Sequence, residues 1–297
     1  MGPNSEGVMF AIESQGPWNG CCSLKHLKEG AFLGHPASYN WYPYAPNVKA
    51  PEMKPNSDSR MGVEKKRIKE LIPPAVRFPY IKMGRSISGF RLNQTGGKFG
   101  PFDNQIFLGD YTLSILMRAT TEQINGVWQG VCYPFREGLA TGIMNVEFTP
   151  KGQLVAGGFT TNSQWPVRGT EPFALQRIDW NGVVPFEIQE INIRKDGFRI
   201  TFTKPVDRQI AASPDAYAIT TYTHIYHAGY GSPEVDQTTA RVIEAVPSED
   251  GRSVRVRLER IVEDHIHDFN LAGIRSQDGK RLVHSKAYYT VNEIPKD

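Results

Sequence analysis

The chain has 297 residues, 39% of them hydrophobic and 22% charged, with a net charge of +3 at neutral pH. This is the composition of an ordinary globular protein, long enough for one large domain or two of average size. The basic residues are scattered, so the charge gives no reason to expect a nucleic-acid partner. No apolar run of about 18 residues is present that would span a membrane, and the first residues, Met1-Gly2-Pro3-Asn4, lack the features of a signal peptide.

The three cysteines do not form a framework of disulfides. Cys21 and Cys22 are adjacent, and disulfide geometry disfavours a bond between neighbours. A bridge from either of them to Cys132 is left open by the sequence. No Cys-x-x-Cys or His-rich spacing that is typical of a metal site occurs.

The first 72 residues divide into a β-rich part and an insertion. Residues 7–12 and 23–27 predict short strands, with a turn at Glu29-Gly30. The innermost strand that normally begins a propeller blade is missing before them, so we expect the chain to open inside a propeller. Residues 37–72 are rich in aromatic residues and prolines and predict a short helix near 63–71. We expect this insertion to pack as a lid, the alternative being an excursion from the fold.

Residues 73–182 contain an internal repeat, because four short apolar runs occur twice in the same order. The runs Val76–Tyr80, Ser88–Leu92, Gln105–Gly109 and Ile115–Arg118 return as Val131–Phe135, Thr141–Val146, Gln153–Gly157 and Phe173–Arg177. A period of about 40–50 residues with four β-type runs is typical of propeller blades. One blade cannot bury its two apolar faces alone, so blades stack around an axis.

The C-terminal part begins at Pro185, where the repeat ends. Strand candidates follow at 187–193, 198–202, 217–226, 241–246, 253–258, 266–271 and 287–291, with Asp-Gly turns at 196, 250 and 278. About seven short strands in about 110 residues are typical of an immunoglobulin-like β-sandwich. The sequence therefore predicts an all-β protein: a partial β-propeller of about three blades over 1–184, with the insertion at 37–72, and an immunoglobulin-like β-sandwich over 185–297.

Two sets of residues resemble a known family. Glu13-Ser14-Gln15-Gly16-Pro17, followed by Ser23–Pro36, resembles the signature of the soluble quinoprotein glucose/sorbosone dehydrogenases. A larger set resembles the dehydrogenase-like secreted propellers of planctomycetes, and it comprises Phe78-Pro79-Tyr80, Gly96–Phe102, Leu108-Gly109-Asp110, Tyr133–Arg136, Trp165, Leu175-Gln176-Arg177 and Pro185–Ile188.

The resemblance implies a six-bladed propeller that oxidises a sugar or polyol with pyrroloquinoline quinone (PQQ) and Ca²⁺, and export from the cytoplasm to the periplasm or medium. Carried over residue by residue, the resemblance implies that the carbonyls of Gly16 and Pro17 bind Ca²⁺ and that Gln15 contacts the quinone. Two departures weaken the enzyme hypothesis. Cys21-Cys22 stands where an acidic pair is expected, and the early blades that carry the family's catalytic base have no counterpart here.

Further candidate residues follow matching strands of the repeat. Asp110 and the pair Thr161-Asn162 come after equivalent runs, so we expect them at one rim, where they would line a cofactor or ligand site. The alternative is that they form turns and bond their own backbone. Trp165 and Arg168 in the next connection would stack on a sugar or quinone, or else make ordinary contacts of a surface loop.

Two pairs of histidines lie in the predicted sandwich. His224 and His227 are three residues apart, and strand alternation places His265 and His267 on one face of a sheet. A metal site across strands is one reading of this pattern, and paired surface histidines are the other.

Two functions remain. The first is a sugar or polyol dehydrogenase that depends on PQQ and Ca²⁺. The second is a non-catalytic propeller segment that binds carbohydrate or protein. A partial propeller has open sheet edges, so we expect self-association or additional blades to complete it. The missing blades favour the binding hypothesis for this chain.

Overall fold

The computed structural model describes residues 1–160 and 165–296. In these residues the chain forms nineteen strands: β1 (Gly2–Pro3), β2 (Met9–Glu13), β3 (Cys22–His26), β4 (Val76–Phe78), β5 (Ile87–Leu92), β6 (Ile106–Asp110), β7 (Ile115–Ile124), β8 (Val127–Arg136), β9 (Ile143–Phe148), β10 (Leu154–Phe159), β11 (Phe173–Ile178), β12 (Ile188–Arg194), β13 (Gly197–Phe202), β14 (Ala218–His224), β15 (Glu234–Thr239), β16 (Val242–Pro247), β17 (Ser253–Leu258), β18 (His265–Asn270) and β19 (Lys286–Val291). Helical segments are short: α1 (Met61–Arg67), α2 (Arg208–Ala211) and 3₁₀ turns at Pro36–Asn40, Tyr42–Tyr44 and Pro214–Ala216.

The described strands form four antiparallel sheets, which confirms the all-β prediction. Their orders are β1-β2-β3-β4, β11-β10-β9, β12-β13-β17-β16 and β15-β14-β18-β19-β8-β7-β6-β5, and none of the four closes on itself. The first two sheets pack on opposite faces of β5–β8. Leu24 and Leu108 lie in the core on one side, whereas Phe107, Phe135 and Leu154 lie in the core on the other.

The internal repeat is present in the structure, but its phase differs from the prediction. In the first copy β4 pairs with β3, and β5, β6 and β7 pair with one another. In the second copy β8 pairs with β7, and β9, β10 and β11 form a sheet of their own. The prediction that each copy forms one four-stranded sheet is therefore wrong. The cause is the long β7–β8 hairpin, whose Asn125-Gly126 turn has φ of 49° and 81° and returns β8 along β7.

The N-terminal sheet also differs from expectation. β1 pairs with β2 through Gly2 opposite Phe10 and Pro3 opposite Met9. We expected this first strand to be missing. It is present as β1, which has only two residues and lies at the edge of the sheet.

The insertion packs against the rest of the protein, as predicted. Phe32, Met61, Ile68 and Leu71 form a small core with Tyr226 of the C-terminal half. The predicted helix near 63–71 forms slightly earlier, as α1. Trp41 in the same insertion stays 68% exposed.

The C-terminal half forms two facing sheets with a shared core. The β12-β13-β17-β16 sheet lies over the β15-β14-β18-β19 part of the long sheet, and Phe198, Ile200, Val256 and Phe269 are fully buried in the core that the two sheets share. Residues 185–296 contain eight strands, one more than the sequence suggested.

The long sheet joins the two halves of the chain. β19 pairs with β8 through Tyr288, Tyr289 and Thr290, opposite Cys132, Val131 and Gly130 in that order. Hydrogen bonding therefore runs across the predicted boundary at 184/185. The division into 1–184 and 185–297 stays a prediction about folding units.

A buried arginine reinforces this junction. The guanidinium of Arg118 lies 4.2 Å from the ring centroids of both Phe102 and Tyr133. It donates to the side-chain oxygen of Gln105 (2.8 Å) and to the backbone carbonyls of Ile188 and Gln189. Burial lowers the pKa of Arg118 to about 10, so the side chain stays charged at neutral pH. A charge buried in this way needs each of these partners.

Candidate functional site

The residues expected to hold Ca²⁺ and the quinone lie in the turn between β2 and β3. The side-chain amide of Gln15 donates to the carbonyl of Gly20 (3.1 Å). The carbonyl of Gly16 accepts the backbone N–H groups of Asn19 (3.2 Å) and Gly231 (3.1 Å), which occupy both of its lone pairs. Pro17 forms an isolated β-bridge with Tyr230.

This arrangement does not fit the expected Ca²⁺ site. Ca²⁺ takes six to eight oxygen ligands, usually with carboxylates among them. The Gly16 oxygen is already satisfied by amides, and no cluster of three or more His, Cys, Asp or Glu side chains able to hold a metal occurs within 1–160 and 165–296. The histidine pairs form no such cluster either. His267 is fully buried, and His227 approaches Asp58 (3.7 Å) at the surface.

Asp110 has a structural role in its turn. The side chain is fully buried, and its carboxylate accepts the backbone N–H groups of Arg85 (2.7 Å), Ser86 (2.8 Å) and Leu113 (2.7 Å). A carboxylate held by three backbone donors fixes the connection after β6 and has little capacity left for a ligand.

The two predicted rim segments do meet. The backbone N–H of Arg168 donates to the carbonyl of Thr112 (2.9 Å), and the rings of Tyr111 and Phe159 lie 5.8 Å apart. Trp165 is 51% exposed and Arg168 is exposed. Thr161 and Asn162 lie outside the described residues, so their predicted role stays a prediction.

The cysteines are free, buried thiols. Neither Cys21 nor Cys22 is bonded to Cys132, so the disulfide that the sequence left open does not form. Burial raises the pKa of Cys21 to about 12 and that of Cys22 to about 11. These thiols are protonated at neutral pH and are poor nucleophiles.

A pocket of about 290 Å³ offers a better ligand site than any predicted residue. It lies between the β5–β6 connection, the end of β8 and the segment that follows β11. Its apolar wall consists of Phe99, Phe102, Phe135 and Trp180, and its polar groups are Arg136, Asp179 and Asn181. We call it the Trp180 pocket.

The aromatic wall is held rigidly. The Phe135 ring meets Phe102 edge-on at 6.1 Å and Phe99 at 5.9 Å. Trp180 lies over Gly100, where a Cβ atom would come within 3.3 Å of the indole. Gly100 also has φ of 87°, which favours glycine. The indole N–H donates to the carbonyl of Val183 (3.3 Å), so the ring orientation is fixed while 38% of the residue stays exposed.

The polar groups stand beside this wall. The Arg136 guanidinium lies 4.7 Å from the centroid of Phe135. The Asp179 carboxylate accepts the side-chain N–H groups of Gln153 (2.7 Å) and Arg177 (2.8 Å). These hydrogen bonds, that of Gln153 first, lower the pKa of Asp179, so it is ionised at neutral pH. The pocket thus offers an apolar face next to a strong acceptor and a strong donor.

Sequence reasoning missed this pocket. In the sequence, Gly96–Phe102 and Tyr133–Arg136 stand out only through the family resemblance, and the predicted site residues do not include Trp180. A signal was available, because Asp179, Trp180 and Asn181 come directly after the last strand of the second repeat copy. Comparisons with protein-family models, curated proteins and solved structures gave no match to this chain.

Proposed function

We propose that this protein binds carbohydrate in the Trp180 pocket and does not itself catalyse a reaction on it. The observation that carries the proposal is the partly exposed indole of Trp180 (38% of the residue), fixed beside an ionised carboxylate and a guanidinium. A sugar ring has an apolar C–H face and a rim of hydroxyl groups. It therefore matches a wall of aromatic rings flanked by polar side chains.

The size of the pocket favours a small ligand. Its volume of about 290 Å³ is close to the lower end of the usual range for ligand sites, about 300–1,000 Å³. A single sugar residue, or the end of a glycan chain, suits such a space. Asp179 would accept from hydroxyl groups, and Arg136 would donate to hydroxyl or ring oxygens.

Strand order supports the predicted immunoglobulin-like sandwich and partial propeller. In the C-terminal half, the orders β12-β13-β17-β16 and β15-β14-β18-β19 correspond to the A-B-E-D and C′-C-F-G orders of immunoglobulin-like sandwiches when strands are lettered along the chain. Three stacked antiparallel sheets with a repeated register support a partial propeller in the N-terminal half. A location outside the cytoplasm rests on the family resemblance alone.

The dehydrogenase hypothesis receives no support from the geometry. The Gly16 carbonyl and the Asp110 carboxylate, which the hypothesis assigns to Ca²⁺ and quinone, are both occupied by backbone amides. Oxidation of a sugar or polyol with PQQ and Ca²⁺ therefore stays a prediction from resemblance. The sugar class of ligand is common to both hypotheses.

A glycan array followed by calorimetric titration tests the proposal. We expect Trp180→Ala to weaken binding of the best glycan about tenfold, because loss of one aromatic contact costs about 1.4 kcal/mol. Trp165→Ala is the matched control, since Trp165 is the exposed tryptophan at the originally predicted rim. Its affinity should equal that of the wild type.

Two results would overturn the proposal. One is affinity that survives Trp180→Ala but is lost in Trp165→Ala, which would return the site to the rim. The other is reduction of an electron-accepting dye by aldoses after reconstitution with PQQ and Ca²⁺, which would restore the enzyme hypothesis.

A further inference from the structure

We propose that the outer face of the β9–β11 sheet is the contact surface of a homodimer, in which two copies stack this face against each other. The outer face consists of Val155, Gly157, Phe159, Phe173 and Leu175, with the polar Asn145 beside Gly157 and with Glu147 and Arg177 at one end. None of these residues lines the Trp180 pocket, although Arg177 donates to Asp179 there (2.8 Å), and the inference does not depend on the proposed function.

The outer face is apolar and exposed. Phe173 is 78% exposed, Leu175 80% and Phe159 45%, and cross-strand pairing places Phe159 beside Phe173. The alternate residues Leu154 and Ala156 point the other way, into the core against β5–β8. Contiguous exposed apolar surface on one sheet face marks an interaction site.

The internal repeat indicates that a β-sheet covers this face. In the first copy Gly109 pairs with Leu116, and in the second copy Gly157 pairs with Leu175 at the equivalent register. The first of these faces is covered by β9, whose Ile143 lies so close to Gly109 that a Cβ there would clash. The outer face of the β9–β11 sheet has the equivalent Gly–Leu pair, but no sheet of the described chain covers it.

Charge placement favours a second copy as the occupant. Glu147 on β9, Val155 on β10 and Arg177 on β11 form one cross-strand row. Within the chain Glu147 already pairs with Arg91 and Arg177 pairs with Asp179 (2.8 Å), while the Glu147 and Arg177 side chains stay 54% and 62% exposed. A two-fold axis along β10 lays β9 of each copy over β11 of the other, so each Glu147 lies opposite an Arg177. An isologous interface requires this kind of self-complementarity.

The N-terminal sheet offers no equivalent surface for head-to-tail stacking. On the face of β3 and β4 that points away from β5–β8, Lys25 is buried and donates to the carbonyl of Leu33 (2.9 Å). Arg77 is buried there as well and pairs with Asp264 (2.7 Å). Because this face is polar and already covered, face-to-face pairing of the β9–β11 sheets is the arrangement that fits.

Light scattering across a concentration series tests the dimer. We expect the wild type to dimerise, and Leu175→Glu to raise the dimer dissociation constant about 100-fold or more, because it places a charge where the dimer would bury a leucine. Val246→Glu is the matched control, since Val246 is a 51% exposed aliphatic residue on β16, an edge strand of another sheet. It should dimerise like the wild type, and thermal unfolding should show that both variants are folded.

Cross-linking tests the geometry separately. The native cysteines are all buried, so a short bis-maleimide should react only at an introduced thiol. We expect Gly157→Cys to give a covalent dimer and Val246→Cys to give none. A wild type that stays monomeric into the high micromolar range, or a dimer that Leu175→Glu leaves intact, would overturn the proposal.

Discussion

His267 is fully buried in β18, and its ring centroid lies 5.3 Å from that of Phe198 in the core of the sandwich. Burial lowers the pKa of His267 to about 3. His224 behaves alike: burial first, then the positive charges of Arg77 and Lys82, lower its pKa to about 3. Both rings are therefore neutral in the folded protein over the physiological pH range.

This gives the protein a defined sensitivity to acid. The unfolded chain binds a proton on each ring near pH 6.5, whereas the folded chain does so only near pH 3. The contribution of the two neutral rings to the free energy of unfolding is therefore present above pH 6.5 and is lost as the pH decreases from 6.5 towards 3. By pH 5 we expect a loss of about 2 kcal/mol for each histidine.

Urea unfolding at pH 7.5 and pH 5 checks this expectation. His267→Phe keeps a ring in the core but cannot bind a proton, so it should lose about 2 kcal/mol less than the wild type over this interval. His265→Gln, in the same strand but outside the core, should follow the wild type. Equal losses in His267→Phe and wild type would contradict the burial argument.

At the scale of elements, the repeat places two glycines at equivalent positions with different surroundings. A Cβ at Gly109 would clash with the branched Cβ region of Ile143 on the next sheet. A Cβ at Gly157 would meet the end of Leu175, whose Cδ1 atom lies 3.0 Å away and is free to rotate. Replacing each glycine by alanine therefore tests whether a sheet packs on Gly109 and whether Gly157 is left uncovered.

We expect Gly109→Ala to lower the free energy of unfolding by about 1–3 kcal/mol, because two sheets would have to separate slightly. Gly157→Ala should change it by no more than about 0.5 kcal/mol. Denaturant unfolding at concentrations where the chain is monomeric measures both. Comparable losses in the two variants would mean that β9 does not pack on β6 as described.

At the scale of the whole molecule, the eight-stranded sheet makes the two halves interdependent. Val131 and Tyr133 of β8 belong to the core of the C-terminal half, and the N–H of Ile191 donates to the Tyr133 hydroxyl (2.9 Å). Arg118 adds hydrogen bonds from β7 to the carbonyls of Ile188 and Gln189. Unfolding one half would leave these buried groups without partners in the other.

We therefore expect a single unfolding transition for the full chain. Scanning calorimetry should give a van't Hoff enthalpy equal to the calorimetric enthalpy. Arg118→Met should shift this one transition downwards without splitting it. Two resolved transitions would show that 1–184 and 185–297 fold as separate units after all.

The sequence by itself determined the features that depend on neighbouring residues. Alternating apolar runs predicted most strands, Asp-Gly dipeptides marked tight turns, and similar runs revealed the repeat but not which strands share a sheet. It also placed Asp110 and Arg168 in segments that meet. For Asp110 it left two roles open, a ligand site or a turn, and the structure shows the carboxylate accepting from the backbone of its own turn and of the segment beside it.

Only the tertiary structure decided which surfaces are covered. Arg118 and Arg177 hold equivalent positions in the repeat, yet Arg118 is 1% exposed and the Arg177 side chain is 62% exposed. Likewise, β8 pairs with β19 across some 156 residues, and Trp180 joins Phe135 in a pocket. The local pattern is the same wherever a strand lies, because period and turn chemistry are properties of neighbours along the chain. Burial depends instead on which distant sheet packs against that strand.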